Sequence, residues 1–154
     1  MKEILRAVTK NPKETQKIAE VFAREILSAK NPPAGGAIVI GLEGDLGAGK
    51  TTFTKGFAKG LGIKEEMKSP TFILMRIFQI PRNGKQKHFL HSDAYRIDDA
   101  KEFAALGFKE LLKNKNNILL VEWSDRIKKL LPKNYFRFVF KHGEKNIREI
   151  KLYA

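Results

Sequence analysis

The chain has 154 residues and contains no cysteine, which excludes disulfides, thiolate metal sites and cysteine nucleophiles. Lys and Arg total 30 against 17 Asp and Glu, and this formal charge of +13 favours a polyanionic partner such as nucleic acid, unless it reflects a lysine-rich composition common to the organism's proteins. No apolar run is long enough to span a membrane, and the first residues lack the apolar core of a signal peptide, so we expect one cytoplasmic domain over residues 1–154 with no membrane contact.

The first elements predicted along the chain are a short strand at residues 4–8 and a helix that ends near Ala29. Asn11 is the expected N-cap, Pro12 occupies the first helical position, and Glu14 stands where it can close a capping box. The apolar side chains expected to form the buried face of this helix are Ile18, Val21, Phe22 and Ile26.

The next stretch carries the motif around which the chain is organised. An apolar run at residues 37–42, typical of a strand buried on both faces, leads into Gly-x-x-x-x-Gly-Lys-Thr at residues 44–51, and a helical pattern follows. This is a P-loop in its required context, in which backbone N–H groups and the helix N-terminus bind phosphate. Lys50 is expected to contact the β- and γ-phosphates, and the Thr51 hydroxyl to ligate Mg²⁺. The predicted nucleotide-binding residues of the loop are Gly44, Asp45, Leu46, Gly47, Ala48, Gly49, Lys50, Thr51 and Thr52.

Two antiparallel strands are predicted next, at residues 72–80 and 87–93, because Asn83-Gly84 between them is a strong hairpin turn. A helical segment follows from Ala100 and is expected to break at Gly107.

The remainder of the chain predicts four further elements. A wholly apolar strand at residues 118–121 ends in Glu122-Trp123, and a short helix at residues 124–131 is stopped by Pro132. Alternating residues at 135–140 and 147–153 predict a terminal hairpin at the sheet edge. The predicted fold class is therefore α/β, a P-loop NTPase-like three-layer fold with a mixed parallel and antiparallel sheet.

Four residues outside the loop are candidates for the site. Glu122 ends a buried strand, where a P-loop ATPase places a carboxylate near Mg²⁺, although a strand-end acid can also face solvent. Asp93 ends another strand and could orient a water molecule, hold Mg²⁺ through water or cap a turn. Thr71 could approach the γ-phosphate or simply begin a strand, and Trp123 could pack beside the nucleotide or in the core.

Five motifs together make the chain resemble the TsaE family, the small P-loop ATPases of bacterial tRNA threonylcarbamoyladenosine synthesis. They are the P-loop, Ser69-Pro70-Thr71-Phe72, the segment from His91 to Arg96, Leu106-Gly107-Phe108 and Val121-Glu122-Trp123. The resemblance implies ATP hydrolysis in support of the partner proteins TsaB and TsaD, which transfer a threonylcarbamoyl group to tRNA.

The resemblance also implies a role for each matched residue. Thr51 and Glu122 would hold Mg²⁺, Lys50 would bind phosphate, and Asp93 would act near the γ-phosphate. Thr71 would be a switch-like contact. Trp123 would lie beside the nucleotide, and Thr15 near its base.

Three functions stay open at this point. The first is a single ATPase domain at which water attacks the γ-phosphate of ATP·Mg²⁺. Hydrolysis is expected to be slow until a partner completes the site, since Arg96 is the one candidate for an arginine finger within the chain. Direct contact of tRNA with the basic surface is a further option. The second is a small-molecule kinase, although the chain has no separate arginine-rich lid segment. The third is a nonenzymatic nucleic-acid-binding module with a vestigial P-loop.

Overall fold

The computed structural model describes residues 1–29, 35–68, 74–81 and 84–154. Within these ranges seven strands form one sheet: β1 (Glu3–Thr9), β2 (Ile38–Glu43), β3 (Met75–Gln79), β4 (His88–Asp93), β5 (Asn117–Glu122), β6 (Phe136–His142) and β7 (Arg148–Tyr153). The helices are α1 (Pro12–Ser28), α2 (Lys50–Gly60), α3 (Ala100–Ala105) and α4 (Phe108–Lys113), with a 3₁₀ segment at Ser124–Leu130. None of the helices in these ranges has the length and apolar character needed to cross a bilayer.

The sheet is mixed, in the order β1-β7-β6-β2-β5-β4-β3. β2 lies at its centre and pairs in parallel with both β5 and β6, and β5 pairs in parallel with β4. The outer pairs, β3 with β4 and β7 with both β1 and β6, are antiparallel. The predicted α/β class with a mixed sheet is confirmed. The carboxyl ends of β2, β4 and β5 meet at one edge, as parallel pairing requires, and this edge carries the site.

Hydrophobic clusters cover both faces of the sheet in the described part of the chain. One packs α1 and α2 on the sheet and includes the rings of Phe53, Phe57, Phe89 and Phe138, whereas the other packs α3, α4 and the 3₁₀ segment on the opposite face. Because β2 and β5 are sandwiched between these layers, their apolar runs are almost completely buried, as their composition predicted.

The start of α1 agrees with the prediction, and so does its buried face at Ile18, Phe22 and Ile26, but not at Val21. The Glu14 N–H donates to Asn11 Oδ1 at 3.0 Å, and Glu14 Oε2 accepts from the Lys10 N–H, one residue before the cap. Val21, predicted to be buried, is 46% exposed, whereas Ala19 and Ala23 are completely buried. The face turns toward small residues because α1 packs closely against α2, where Gly56 and Gly60 would each overlap the α1 backbone if they had a Cβ.

The predicted position of the terminal hairpin at the sheet edge is wrong. β6 and β7 form the hairpin, but β1 pairs with β7 and is itself the outer strand. The two chain ends close this pairing, since Lys2 and Ala154 exchange N–H···O bonds of 2.8 and 3.1 Å. The predicted turn residue Asn83 lies outside the described residues.

We expect Gly56→Ala to destabilise the protein by about 3 kcal/mol, because the added methyl would overlap the Gln16 carbonyl of α1. Helix propensity alone predicts the opposite, a gain of up to about 1 kcal/mol, so the sign of the change tests the packing. Thermal unfolding should show a Tm lowered by roughly 8 °C. Gly84→Ala is the matched control, since nothing lies within 4 Å of its added methyl and its Tm should not change.

Candidate nucleotide-binding site

The P-loop joins the carboxyl end of β2 to the N-terminus of α2. Gly44, Gly47 and Gly49 have φ values of +140°, +76° and +108°, which side chains with a Cβ rarely adopt. Gly44 must also lack a side chain because a Cβ there would overlap the carbonyl oxygen of Phe140. The sequence thus folds into a loop whose end passes directly into α2, with the Phe53 N–H bonded to Gly49 O at 2.9 Å.

A pocket of about 390 Å³ lies over this loop at the carboxyl edge of the sheet. It gathers predicted residues from three places in the chain: the P-loop and start of α2, the end of β4, and the end of β5. Its lining residues are Leu46, Gly47, Gly49, Lys50, Thr51, Thr52, Asp93, Tyr95, Glu122 and Trp123.

Glu122 accepts hydrogen bonds from three side chains and is only 2% exposed. The Thr51 hydroxyl donates to its Oε2 at 2.9 Å, and the Thr54 hydroxyl donates to its Oε1 at 3.1 Å. Nε2 of the fully buried His91 lies 2.9 Å from the same Oε1. The alternative that this acid faces solvent is therefore wrong: strand register and burial aim it at the first turn of α2.

Lys50 is folded back on its own loop. Its Nζ donates to the carbonyl oxygens of Gly44 at 2.5 Å and Asp45 at 2.9 Å, and lies 3.8 Å from the centroid of the Trp123 ring. Burial lowers the pKa of the Lys50 ammonium, and the carboxylates of Glu122 and Asp93 partly oppose this effect. A bound phosphate would give this cation a negatively charged partner, whereas the carbonyl oxygens that now accept its hydrogen bonds carry only partial charge.

The lowered pKa of Lys50 predicts how phosphate binding depends on pH. A bound phosphate favours the charged ammonium, so above the lowered pKa binding must take up a proton. We expect ADP affinity to fall by up to about tenfold per pH unit in that alkaline range, measured by calorimetry. The empty protein should instead gain stability from this group with rising pH, since its folded pKa lies below the unfolded one. Lys50→Met should bind more weakly and lose this alkaline dependence, and retention of the dependence would contradict the assignment.

Asp93 and Trp123 flank Glu122 from neighbouring positions. Asp93 is paired with Glu122 in the parallel register of β4 and β5 and lines the pocket, while its Oδ1 accepts the Tyr95 N–H at 2.8 Å. It thus caps the turn that follows β4, as one alternative predicted, and it also lines the pocket. Trp123 has φ +60°, a strained value for this residue that turns its ring over Lys50.

Comparisons with known proteins agree on one family. The family model "Threonylcarbamoyl adenosine biosynthesis protein TsaE" matches residues 9–150. The chain belongs to the TsaE family. It is 40% identical to the tRNA threonylcarbamoyladenosine biosynthesis protein TsaE of Bacillus subtilis, over 95% of this chain and 83% of that protein. It is 33% identical to the TsaE of Treponema pallidum, over 83% and 84% of the two chains. The crystal structure of Bacillus subtilis YdiB superimposes with a TM-score of 0.73 and 35% identity, covering 98% of this chain and 84% of YdiB.

Family membership places the chain among the proteins of tRNA threonylcarbamoyladenosine biosynthesis. Of the predicted site residues, Thr15 does not line the main pocket. Thr15 is buried on α1, bonded through its hydroxyl to that of Thr9 at 2.8 Å, and borders a separate cavity of about 50 Å³ behind Gly47 and Gly49. Thr71 lies outside the described residues.

The oxygen donors of this TsaE site fit Mg²⁺. Thr51 and Glu122 offer a hydroxyl and a carboxylate oxygen 2.9 Å apart, the hard ligands that Mg²⁺ prefers. No group of three or more His, Asp or Glu in the described ranges is arranged to hold a metal. A magnesium ion here would complete its six ligands with water and nucleotide phosphate, as is usual for this ion.

Four residues of the TsaE site were not among the sequence-predicted set, and one of them, Tyr95, lines the pocket. Thr54 and His91 contact Glu122, and Arg148 of β7 donates through Nη2 to Gly47 O at 3.2 Å. The spacing of Thr54 three residues after Thr51 puts both on one helix face and could have identified it. His91 stands two residues before Asp93 and so shares its face of β4. Arg148 has no local signal, because only the pairing of β7 with β1 and β6 brings it to the loop.

Proposed function

We propose that the chain binds ATP·Mg²⁺ on its P-loop and hydrolyses the nucleotide to support threonylcarbamoyladenosine modification of tRNA together with TsaB and TsaD. The observation that carries this proposal is the 2.9 Å bond between Thr51 Oγ1 and Glu122 Oε2 at the mouth of the P-loop, beside the buried cation of Lys50. A phosphate cradle, a cation and two oxygen ligands in one pocket are the parts that phosphoryl transfer requires.

Each part has a chemical role in this proposal. Lys50 stabilises the negative charge that develops on the γ-phosphate, and the loop N–H groups orient the phosphate chain. Thr51 and Glu122 hold Mg²⁺, which when bound neutralises charge on the β- and γ-phosphates. Asp93 accepts a hydrogen bond from the attacking water and aims it, since this carboxylate lies beside Glu122 in the pocket lining.

The proposal includes completion of the site by a partner. No arginine lines this pocket in the described part of the chain, and Arg148 is bonded to the backbone oxygen of Gly47, whereas P-loop hydrolases gain a large part of their rate from an arginine at the transferred phosphate. Leu46, at the tip of the loop, is 73% exposed and offers an apolar contact beside the pocket. We therefore infer that TsaB or TsaD supplies the missing group and raises a slow basal rate.

The decisive experiment is a phosphate-release assay with Mg²⁺ and ATP, with and without TsaB, TsaD and tRNA. Slow turnover alone and stimulation by the partners are expected. Fast turnover alone would remove the need for a partner, and phosphate transfer to a nucleoside or sugar would instead establish a kinase. No stimulation by any combination would overturn the partner role.

The net charge of +13 supports a further part of the proposal, direct contact with tRNA. Filter binding with tRNA at increasing salt is expected to show affinity that falls steeply, because bound counterions are released on contact. Equal affinity for tRNA before and after the salt increase would exclude the electrostatic contact.

A further inference from the structure

Glu122 is held by donors from two elements, and the donors divide its carboxylate into two unequal halves. Oε1 accepts from Thr54 of α2 at 3.1 Å and from His91 of β4 at 2.9 Å. Oε2 accepts from Thr51 at 2.9 Å, and Thr51 lines the pocket. The half with two donors is bonded to completely buried side chains, and the half with one donor is bonded to a residue of the pocket.

We propose that Thr54 and His91 are positioning residues that fix Oε1 of Glu122, so that Oε2 alone is presented to Thr51 and the metal–nucleotide complex. This inference rests on the proposed function, because it assigns a role toward the metal of that same site. Holding one carboxylate oxygen prevents rotation of the carboxylate before the metal binds, so binding no longer has to restrict that rotation. Residues that hydrogen-bond to a metal ligand typically act in this way.

The position of Thr54 suits this task. It is completely buried on α2, one helical turn after Lys50 and Thr51, so the helix that presents the phosphate-binding residues also fixes the carboxylate. Its hydroxyl lies 3.1 Å from both Lys50 O and Glu122 Oε1 and has one proton. The ionised carboxylate is the stronger acceptor of the two, so the proton belongs on the bond to Glu122.

His91 reaches the same oxygen of Glu122 from β4. The ring is completely buried, parallel within 7° to that of Phe89 at 6.4 Å between centroids. Its Nδ1 has no hydrogen-bond partner among the described residues, so Glu122 is the polar group that compensates the burial of this ring. A carboxylate only accepts, so Nε2 carries the proton that it donates whether or not the ring is charged.

A structural role for this network and a positioning role predict different results. If Thr54 and His91 merely satisfied a buried acid, their loss would lower stability and disturb the P-loop as a whole. If they position Oε2, their loss would weaken metal binding while phosphate binding by the loop N–H groups and Lys50 stayed the same. The metal affinity and the metal-free nucleotide affinity therefore have to be measured separately.

The test measures Mn²⁺ binding to the ADP complex by electron paramagnetic resonance, and ADP binding in EDTA by calorimetry, on the full chain. Thr54→Val removes the hydroxyl at nearly constant volume, and Thr54→Ser retains it. His91→Leu removes the donor, and His91→Gln keeps an N–H near the position of Nε2. We expect Thr54→Val and His91→Leu to weaken Mn²⁺ about tenfold, the Ser and Gln variants to recover most of this loss, and ADP affinity in EDTA to stay within about twofold.

Unchanged Mn²⁺ affinity in Thr54→Val would overturn the inference, and so would an equal loss of metal-free ADP affinity. If His91→Leu does not fold, as its melting curve will show, Thr54→Val and Thr54→Ser decide the question by themselves. Failure of the proposed function gives a different result, because the wild-type protein itself would then bind neither ADP nor Mn²⁺ in the presence of ADP. That result would overturn both the proposed function and this inference.

Discussion

Replacing Glu122 with glutamine is expected to lower the rate of ATP hydrolysis by about 100-fold or more and to raise the Mg²⁺ concentration that the reaction needs. The carboxylate offers two acceptor oxygens, and three donors from Thr51, Thr54 and His91 use both. An amide has one acceptor oxygen, so its NH₂ group must face either Thr51 or the other two donors. An NH₂ group toward Oε1 would meet the His91 N–H, donor against donor, whereas an NH₂ group toward Thr51 would force that hydroxyl to accept instead of donate. Either arrangement removes the negative charge from the proposed metal ligand.

The control for this change is Glu43→Gln. Glu43 also ends a buried strand, on β2 beside β5, but it pairs with Arg137 at 3.2 Å and does not line the pocket. Rates of phosphate release across a Mg²⁺ titration should therefore separate the two variants, with Glu43→Gln near the wild type. If the Glu122→Gln variant hydrolysed ATP at the wild-type rate, this carboxylate would be excluded from the reaction and its burial would have no functional reason.

Replacing Lys50 with alanine is expected to lower kcat/KM for ATP by about 10²- to 10³-fold. The Lys50 side chain is 5% exposed, and a cation that is partly removed from water interacts with developing charge more strongly than it would in solvent. Its present partners are two carbonyl oxygens and the Trp123 ring, and a phosphate can displace them because an anion is a stronger partner for the ammonium. Steady-state kinetics combined with ADP binding would show how much of the loss is affinity.

Lys55→Ala is the matched control, since Lys55 lies on the same helix and is exposed. Its kinetics should equal those of the wild type, which excludes a general effect of removing one positive charge from a basic protein. Retained hydrolysis in Lys50→Ala would contradict the ATPase proposal. Loss of hydrolysis with unchanged tRNA affinity would show that the basic surface and the P-loop act independently.

Features encoded by neighbouring residues could be predicted from the sequence. The P-loop needs glycines at fixed spacing, and their positive φ values follow from the local turn. The cap at Asn11 and the break at Gly107 likewise depend on one or two residues and were confirmed. The strand ending in Glu122 was predicted because four apolar residues in a row favour a strand buried on both faces.

Features that depend on distant pairing could not be predicted in the same way. The choice of β1 as the outer strand involves residues at the two ends of the chain, and no local pattern distinguishes it from an edge hairpin. The buried face of α1 was predicted from hydrophobicity, but it is set by the approach of Gly56 and Gly60, which favours Ala19 and Ala23 over Val21. Close packing of two helices requires small side chains at the contact, and a hydrophobic pattern does not report side-chain size.

The sequence by itself determined that a phosphate-binding loop exists, which residues form it, and which strand-end acids could stand near it, because these depend on short-range backbone geometry and periodicity. Only the tertiary structure decided that Glu122 faces Thr51 and that His91 and Thr54 hold its other oxygen. The reason is that the parallel register of β4, β5 and β2 sets these positions, and register is fixed by the packing of the whole sheet between its helices.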